Sequence, residues 1–226
     1  MRYDVILMDI DNTLLDFHKC ADACIRRGFR ELGLPYTDRT FPTFIAINDE
    51  LWRDIEQGRL TREGLRQIRW DRIFRTLGLT ADGVSFEDRF GELLFESHEP
   101  VDGAPEALQY LSGKYAVYAA SNSSYAQQRH RLELAGMLPC IREIFASREI
   151  GAAKPTAAFF AACLERIGNP PKDQVLLLGD SLTADVEGGI AFGLHTGWYN
   201  HTGASHDIAL PVDFIVDHLS QIPQYL

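Results

Sequence analysis

Several hallmarks of membrane and secreted proteins are missing from this sequence of 226 residues. It has no stretch of about 18 or more apolar residues, so we expect no membrane-spanning helix. The apolar run of the N-terminal segment MRYDVILMDIDNT stops after Met8, which is too short for the core of a secretory signal. We therefore expect a cytoplasmic protein.

Cysteine and basic residues are both scarce. The four cysteines, Cys20, Cys24, Cys140 and Cys163, form no CxxC pair, and buried free thiols in a reducing compartment are the favoured interpretation. The chain has 22 Lys and Arg against 32 Asp and Glu, which gives a formal net charge of −10. Such a surplus repels nucleic acid and anionic membranes. The sequence also lacks the HExxH and GxxxxGK[ST] patterns, which argues against a paired-histidine zinc site and an ATP-binding P-loop.

Short apolar runs alternate with helical patterns along much of the chain. Because the runs are apolar on both faces, they predict parallel strands that are covered on both sides. The predicted strands are 4–8, 115–120, 175–179, 196–199 and 213–216. Helices are predicted at 104–113, 125–136 and 156–168, each ending in glycine, and at 182–192. This alternation predicts an α/β fold with a doubly wound parallel sheet.

An insertion interrupts this pattern near the N-terminus. About a hundred residues separate Met8 from Tyr115, whereas a simple crossover between parallel strands needs about a dozen. The intervening sequence contains amphipathic segments at 18–33, 42–57, 61–78 and 86–98. We therefore predict a core domain made of residues 1–16 and 99–226, and a four-helix domain at 17–98.

Acidic residues follow two of the predicted strands. Asp9 and Asp11 lie in the segment DIDNT at 9–13, and Asp180 and Asp185 lie in GDSLTAD at 179–185. A polar turn with Asp11 or Asn12 as a helix cap would explain the first segment, and Asp180 as a helix cap the second. Four carboxylates at the ends of strands in one sheet, however, require a cation. Oxygen ligands of this kind suit Mg²⁺.

Two further segments place polar side chains at the end of a predicted strand and at the start of a predicted helix. Ser121 and Asn122 end a strand, where a hydroxyl and free backbone N–H groups can hold a phosphoryl oxygen. Taken alone, an ordinary turn or helix N-cap is the more common reason for such residues. Lys154 precedes Pro155, which we predict as the first residue of a helix. A proline favours an extended backbone at the residue before it, and this would direct the Lys154 ammonium group to the mouth of the sheet. A solvated surface lysine is the alternative.

These four segments, in this order, resemble the motifs of the haloacid dehalogenase-like superfamily. The resemblance implies a Rossmann-like core with an α-helical cap, and Mg²⁺-dependent hydrolysis of a small phosphomonoester. It implies that Asp9 is the nucleophile and Asp11 the general acid and base. Asp180 would bind the metal directly together with Asp9 and the backbone carbonyl of Asp11, with Asp185 supporting the metal shell. Ser121 and Lys154, and Asn122 beside them, would hold the phosphate.

The predicted cap is similar to a narrower group within that superfamily. The segments INDELW at 47–52, GRLT at 58–61 and RW at 69–70 resemble noncanonical pyrimidine 5′-nucleotidases. This implies a nucleoside monophosphate substrate, with Asn48, Trp52 and Arg69 as candidate contacts. Helix packing is the favoured alternative for Trp52, and a solvated or salt-bridged helix residue is the alternative for Arg69.

Four alternatives stay open at this point. A phosphatase of another small metabolite, such as phosphoglycolate or a sugar phosphate, and a phosphomutase would use the same motifs. A dehalogenase is disfavoured by Asp11, because that family lacks a carboxylate two residues after its nucleophile. A non-catalytic binding module would be expected to have lost one of the motif residues. The oligomeric state is predicted only as monomer or homodimer.

Overall fold

The chain divides into two compact units in the computed structural model, which describes residues 3–205 and 210–226. The core unit comprises Met1–Phe17 and His98–Leu226, and the helical unit comprises His18–Ser97. The predicted insertion at 17–98 begins one residue before the helical unit and ends one residue after it. In the described part of the chain, no helix is both long enough and apolar enough to cross a membrane.

Four helices build the helical unit around a cluster of aromatic side chains. They are α1 Phe17–Glu31, α2 Thr40–Glu56, α3 Arg62–Leu77 and α4 Gly83–Phe95. Trp70 lies at the centre, with its ring centroid 4.4 Å from that of Phe86 and 5.5 Å from that of Phe44. Rings of this size that are fully buried give a small unit much of its hydrophobic stabilisation. The four predicted amphipathic segments therefore pack on one shared core.

Six parallel strands form the sheet of the core unit, in the order β3-β2-β1-β4-β5-β6. They are β1 Val5–Met8, β2 Ala116–Ser121, β3 Ile144–Ala146, β4 Val175–Gly179, β5 His195–Tyr199 and β6 Phe214–Val216. This confirms the predicted α/β fold, and five strands lie within one residue of their predicted bounds. Strand β3 was not predicted, because its three residues are too short an apolar run to stand out.

The helices of the core unit cover both faces of this sheet. They are α5 Ala104–Ser112, α6 Tyr125–Leu134, α7 Ser147–Ile150, α8 Ala157–Arg166 and α9 Gly188–Phe192, with a π-helical segment Leu182–Glu187 and 3₁₀ turns at Leu138–Cys140, Lys172–Gln174 and Leu219–Gln224. Ile6 and Met8 of β1 face a core that includes Leu108 of α5, whereas Val5 and Leu7 face one that includes Phe160 of α8. Successive strand residues point to opposite faces, so a strand between two helical layers must be apolar throughout.

Three predictions about helix ends need correction. Pro155 is not the first residue of a helix, because Thr156 caps α8 by accepting a hydrogen bond from the backbone N–H of Phe159 at 3.4 Å. Asp180 is not a cap, because Ser181 takes that place and accepts from the N–H of Ala184 at 3.0 Å. The predicted helix at 182–192 is therefore a π-helical segment followed by α9, and the carboxylate of Asp180 is available for other contacts.

A glycine follows each of the three helices as predicted, but only two of these glycines have a left-handed backbone. Gly136 after α6 and Gly168 after α8 are left-handed, with φ of 71° and 88°. Gly113 after α5 has a φ of −75°, which any residue can adopt. A glycine at that position is therefore not required by the backbone.

Candidate active site

Three neighbouring strands end at the same edge of the sheet. Strand β1 pairs with β2 on one side and with β4 on the other, and the connection reverses direction between β1 and β4. The backbone N–H of Asp9 continues the ladder by donating to the carbonyl of Leu178 at 2.9 Å. Ligands bind doubly wound sheets outside such a switch point, at the carboxyl ends of the strands. The residues that directly follow β1 and β4 therefore lie where a site is expected.

The loop after β1 turns sharply back on itself. The N–H groups of Leu14 and Leu15 both donate to the carbonyl of Ile10 at 2.8 Å. Asn12 adopts a left-handed φ of 61°, a conformation that asparagine tolerates better than most residues. The turn leaves the side chains of Asp9 and Asp11 at the edge of the sheet.

Asp9, Asp180 and Asp185 form an acidic cluster. Each offers a carboxylate oxygen, and these oxygens lie within 4.8 Å of one another. Asp9 and Asp185 are buried, with residue exposures of 7% and 1%. Two oxygens that bind one Mg²⁺ from opposite sides lie about 4.2 Å apart, so the cluster needs only a small contraction to hold such an ion.

A buried lysine partly balances the acidic cluster. The Nζ atom of Lys154 lies 2.5 Å from Oδ1 of Asp9 and 2.6 Å from Oδ1 of Asp185. Three carboxylates and one ammonium group leave a formal charge of −2 if all are ionised. This charge and the all-oxygen donor set fit a hard divalent cation.

Burial and close packing of these charges shift the pKa values of the cluster. Burial raises the pKa of Asp9 to about 7, although the charge of Lys154 opposes the shift. Burial, followed by the charges of Asp9 and Asp185, raises the pKa of Asp180 well above its usual value. For Lys154, burial alone would lower the pKa, but the two carboxylates outweigh it and the pKa lies above the ordinary value. A cation at the cluster would relieve the repulsion among the carboxylates.

Local backbone structure places Asp185 close to the end of β4. Its Oδ2 accepts a hydrogen bond from the N–H of Ser181 at 3.1 Å, within the turn that starts the π-helical segment. Gly179 leaves room for this approach, since a Cβ atom at that position would overlap the Asp185 carboxylate. Glycine is therefore needed at the end of β4 for its lack of a side chain.

Two other residues hold Asp180. The indole N–H of Trp198 donates to the backbone carbonyl of Asp180 at 2.9 Å, and Oγ1 of Thr13 donates to its Oδ1 at 3.3 Å. Trp198 is buried in β5, the strand next to β4. The position of Asp180 is thus fixed from the neighbouring strand β5 and from the loop after β1.

The predicted phosphate-binding residues lie beside the cluster. Asn122 binds the backbone of Lys154 twice, by accepting from its N–H at 2.8 Å and by donating to its carbonyl at 2.9 Å. Ser121 is the last residue of β2 and is buried, and its Oγ accepts from the N–H of Ser123 at 3.1 Å. The side chain of Asn122 therefore positions Lys154, a role that the sequence did not reveal.

Asp11 contacts two side chains of α6 that sequence reasoning missed. Nε2 of Gln128 donates to its Oδ2 at 2.5 Å, and Nη1 of Arg131 donates to its Oδ1 at 2.6 Å. The i, i+3 spacing of Gln128 and Arg131 was visible in the sequence, but it indicates only a shared helix face. A glutamine and an arginine on a helix are usually exposed, so nothing indicated that this face is buried.

The candidate cap residues lie in the helical unit. Nη1 of Arg69 donates to Oδ1 of Asn48 at 2.9 Å, and the same guanidinium pairs with Glu87 at 2.6 Å. Trp52 is half-buried, with the guanidinium of Arg62 5.3 Å from its ring centroid. Asn48 and Arg69 are therefore brought together and buried, and a substrate contact from any of the three stays a prediction.

Known proteins resemble this chain in both sequence and structure. The family model for haloacid dehalogenase-like hydrolases matches residues 3–193. The HAD-hydrolase YfnB of Bacillus subtilis is 34% identical over 88% of this chain and 85% of its own. The pyrimidine 5′-nucleotidases PynA of Streptococcus pneumoniae and YjjG of Escherichia coli are 32% and 29% identical, covering 93% and 100% of this chain and 90% and 99% of theirs.

Structural comparison gives the same grouping. The crystal structure of YfnB bound to magnesium aligns with a TM-score of 0.93 at 30% identity, covering 99% of this chain and 98% of YfnB. An L-2-haloacid dehalogenase from Xanthobacter autotrophicus aligns with a TM-score of 0.76 at 17% identity over 98% of this chain and 97% of the dehalogenase, which shows a shared fold alone. The protein therefore belongs to the haloacid dehalogenase-like hydrolase family.

Proposed function

We propose that this protein is a Mg²⁺-dependent phosphomonoester hydrolase that forms an aspartyl phosphate on Asp9. The proposal depends mainly on one observation, the cluster of Asp9, Asp180 and Asp185 at the carboxyl edge of the sheet, in which Asp9 and Asp185 pair with the ammonium group of Lys154. This arrangement offers a nucleophilic carboxylate, a cation site and a fixed positive charge within a few ångströms.

Asp9, Asp180 and the backbone carbonyl of Asp11 would bind the metal ion, and Asp185 would support them. When bound, the Mg²⁺ ion would offset the repulsion between the Asp9 carboxylate and the phosphate dianion. That repulsion amounts to about 4 kcal/mol for two unit charges 4 Å apart at an effective dielectric constant of 20. Without a cation, attack by Asp9 on a phosphate would be strongly disfavoured.

The side chains of the site have complementary roles in the proposed reaction. Asp9 attacks the phosphorus atom in line, and Asp11 gives a proton to the leaving oxygen. Asp11 then takes a proton from the water that hydrolyses the aspartyl phosphate. Ser121, Lys154 and the backbone N–H of Asn122 hold the phosphoryl oxygens, so that catalysis comes mostly from positioning and charge stabilisation.

We further propose a nucleoside 5′-monophosphate of the pyrimidine class as the substrate. Support comes from the two relatives named pyrimidine 5′-nucleotidase, each of which matches at least nine-tenths of this chain. Asn48, Trp52 and Arg69 of the helical unit are the proposed substrate contacts. Dehalogenation is disfavoured, because only the departure of an alkoxide from phosphate needs an acid such as Asp11.

A screen of phosphomonoesters tests the proposal. Purified protein is assayed for release of inorganic phosphate from UMP, dUMP, dTMP, phosphoglycolate and sugar phosphates, with Mg²⁺ or with EDTA. We expect turnover with Mg²⁺, loss of activity in EDTA, and the highest kcat/KM for the pyrimidine nucleotides. A preference for another ester would refute the nucleotidase assignment alone, and phosphoryl transfer to a second sugar would indicate a mutase.

Two matched variants make the screen specific for Asp9. Asp9→Asn should lower kcat below detection with the fold intact, whereas Asp4→Asn, at the exposed opposite end of β1, should keep full activity. Release of phosphate by Asp9→Asn at a substantial rate, or a wild-type protein inert towards every ester, would refute the proposed mechanism.

A further inference from the structure

Helix α6 buries two polar side chains on the face that carries Leu132. Gln128 and Arg131 both have a relative exposure of 0%, whereas Arg129 and Glu133 on the same helix are about half exposed. Burial of a guanidinium without strong partners is costly, and an apolar residue would fill a core position at lower free energy. The position of Arg131 therefore calls for an explanation beyond helix packing.

Both buried side chains are directed at the same carboxylate. Arg131 reaches Oδ1 of Asp11 at 2.6 Å and Gln128 reaches Oδ2 at 2.5 Å, so each oxygen receives one donor. Arg131 also donates to Oε1 of Gln128 at 3.2 Å, which fixes the orientation of the amide. Hydrogen bonds from a charged donor to a carboxylate are about twice as strong as neutral ones. The two contacts hold Asp11 against rotation about its side-chain bonds.

This arrangement leaves part of the Asp11 carboxylate uncovered. A carboxylate oxygen can accept more than one hydrogen bond, and the Asp11 side chain is 31% exposed although that of Arg131 is fully buried. The donors of α6 thus contact Asp11 from the protein interior and leave its open side accessible. Contacts of this kind orient a proton-transfer group without blocking it.

We propose that Arg131 and Gln128 are positioning residues that hold Asp11 in the orientation for proton transfer to the leaving oxygen. This inference rests on the proposed function, in which Asp11 is the general acid. Proton transfer needs heavy atoms about 2.6 to 3.2 Å apart, and a displacement of about 1 Å can lower a rate about a hundredfold. A carboxylate that is fixed on two sides avoids such displacement.

The two residues differ in what else they touch. Nε2 of Gln128 also donates to Oγ of Ser121 at 2.9 Å, which links Asp11 to a proposed phosphate-binding residue. Arg131 pairs with Asp11 and contacts Gln128, but the structure gives it no direct contact with Ser121 among the hydrogen bonds described above. We therefore expect Arg131 variants to affect proton transfer more than phosphate binding, and Gln128→Met to raise KM for phosphate esters as well.

A comparison of leaving groups tests the proposal. Phenyl phosphate and 4-nitrophenyl phosphate have similar shapes, but only the poorer leaving group, phenolate, depends strongly on an acid. We measure kcat/KM, which reports the steps up to formation of the aspartyl phosphate. Arg131→Met should lower kcat/KM for phenyl phosphate roughly tenfold more than for 4-nitrophenyl phosphate, since general acids contribute about 10²- to 10⁴-fold. Arg131→Lys, which keeps the positive charge, should bring the ratio of the two kcat/KM values part of the way back to that of the wild type.

Three controls separate the outcomes. The ratio of the two kcat/KM values cancels the fraction of folded enzyme, so partial unfolding of Arg131→Met does not mimic the effect. Arg129→Met, at an exposed position of the same helix, should leave the ratio unchanged. In an Asp11→Asn background, Arg131→Met should add no further change in the ratio.

The inference and the proposed function fail differently. A wild-type enzyme that hydrolyses neither ester would refute the function and the inference together. An active wild-type enzyme whose Arg131→Met and Arg131→Lys variants lose both activities equally, or neither, would overturn the inference and leave the phosphatase assignment intact.

Discussion

Lys154 is the residue on which the charge balance of the site depends. Its side chain is 3% exposed, and its ammonium group lies between the carboxylates of Asp9 and Asp185. Removing one partner of a buried ion pair leaves an uncompensated charge, which is more harmful than replacing the whole pair. Lys154 thus combines a structural role with the proposed contact to phosphate.

We predict that Lys154→Met lowers the free energy of unfolding by about 3 to 5 kcal/mol in metal-free buffer, because two buried carboxylates lose their cation. Urea denaturation measures the change. Arg66→Met is the matched control, since it removes an ion pair with Asp88 in which both side chains are about half exposed, and such pairs contribute about 1 kcal/mol or less. Equal losses in the two variants would show that Lys154 is not held as the structure indicates.

At the scale of elements, the end of β4 is the most constrained part of the fold. Gly179 is the last strand residue, and the turn that follows it brings Asp185 of the π-helical segment back against it. No side chain fits between them, so the identity of one strand residue controls the position of a carboxylate six residues later. The same requirement does not apply to glycines in open positions, such as Gly91 in α4.

We predict opposite effects for alanine at these two glycines. Gly179→Ala should destabilise the protein and lower its affinity for Mg²⁺, because the added Cβ displaces the Asp185 carboxylate. Gly91→Ala should stabilise it by roughly 0.5 to 1 kcal/mol, the helix-propensity gain of alanine over glycine. Thermal unfolding and a Mg²⁺ titration followed by calorimetry measure both effects. An unchanged Mg²⁺ affinity in Gly179→Ala would contradict the placement of Asp185 in the cation site.

Much of the architecture could be predicted from hydrophobic pattern alone. The apolar runs of β1 and β4 are continuous because both faces are covered, and that property is visible in any window of the sequence. Strand β3 was missed because three residues give no periodic signal. The start of α8 was misplaced because Pro155 was taken as its first residue, whereas the hydroxyl of Thr156 caps the helix and α8 begins after it.

Some residues of the candidate site could likewise be predicted from the sequence, and others could not. Residues directly after strands, such as Asp9 and Asp180, could be placed because the topology of a parallel sheet determines where strand ends lie. Gln128 and Arg131 could not, since their role depends on which face of α6 is buried against the loop after β1. Tertiary contacts of polar residues leave no periodic mark in a sequence.

For the whole molecule, the acidic cluster couples stability to pH and metal. The pKa of Asp9 is raised to about 7 by burial and that of Asp180 also lies above its ordinary value, so the folded protein binds more protons than the unfolded chain between about pH 4 and 7. The free energy of unfolding of the metal-free protein should therefore decrease as the pH rises through this range, because these carboxyl groups lose their protons in the folded state. Bound Mg²⁺ should offset that loss by stabilising the ionised carboxylates.

We predict that the difference in Tm between samples with Mg²⁺ and with EDTA increases from pH 5 to pH 7. Differential scanning fluorimetry at matched ionic strength measures it, and the subtraction removes titrations that the metal does not affect. The Asp180→Asn variant should show a much smaller difference at every pH. A difference that stays constant or shrinks as the pH rises would contradict a cation site built from these carboxylates.

The most direct test of the account is to identify the residue that receives the phosphoryl group. The enzyme is mixed with Mg²⁺ and an excess of 4-nitrophenyl phosphate, quenched in acid within the first turnover, digested and mapped by mass spectrometry. We predict a phosphoryl group on Asp9, in an amount that matches the initial burst of 4-nitrophenolate, and none in Asp9→Asn. A phosphoryl group on another residue, or a full burst of 4-nitrophenolate with no phosphorylated protein, would contradict the account.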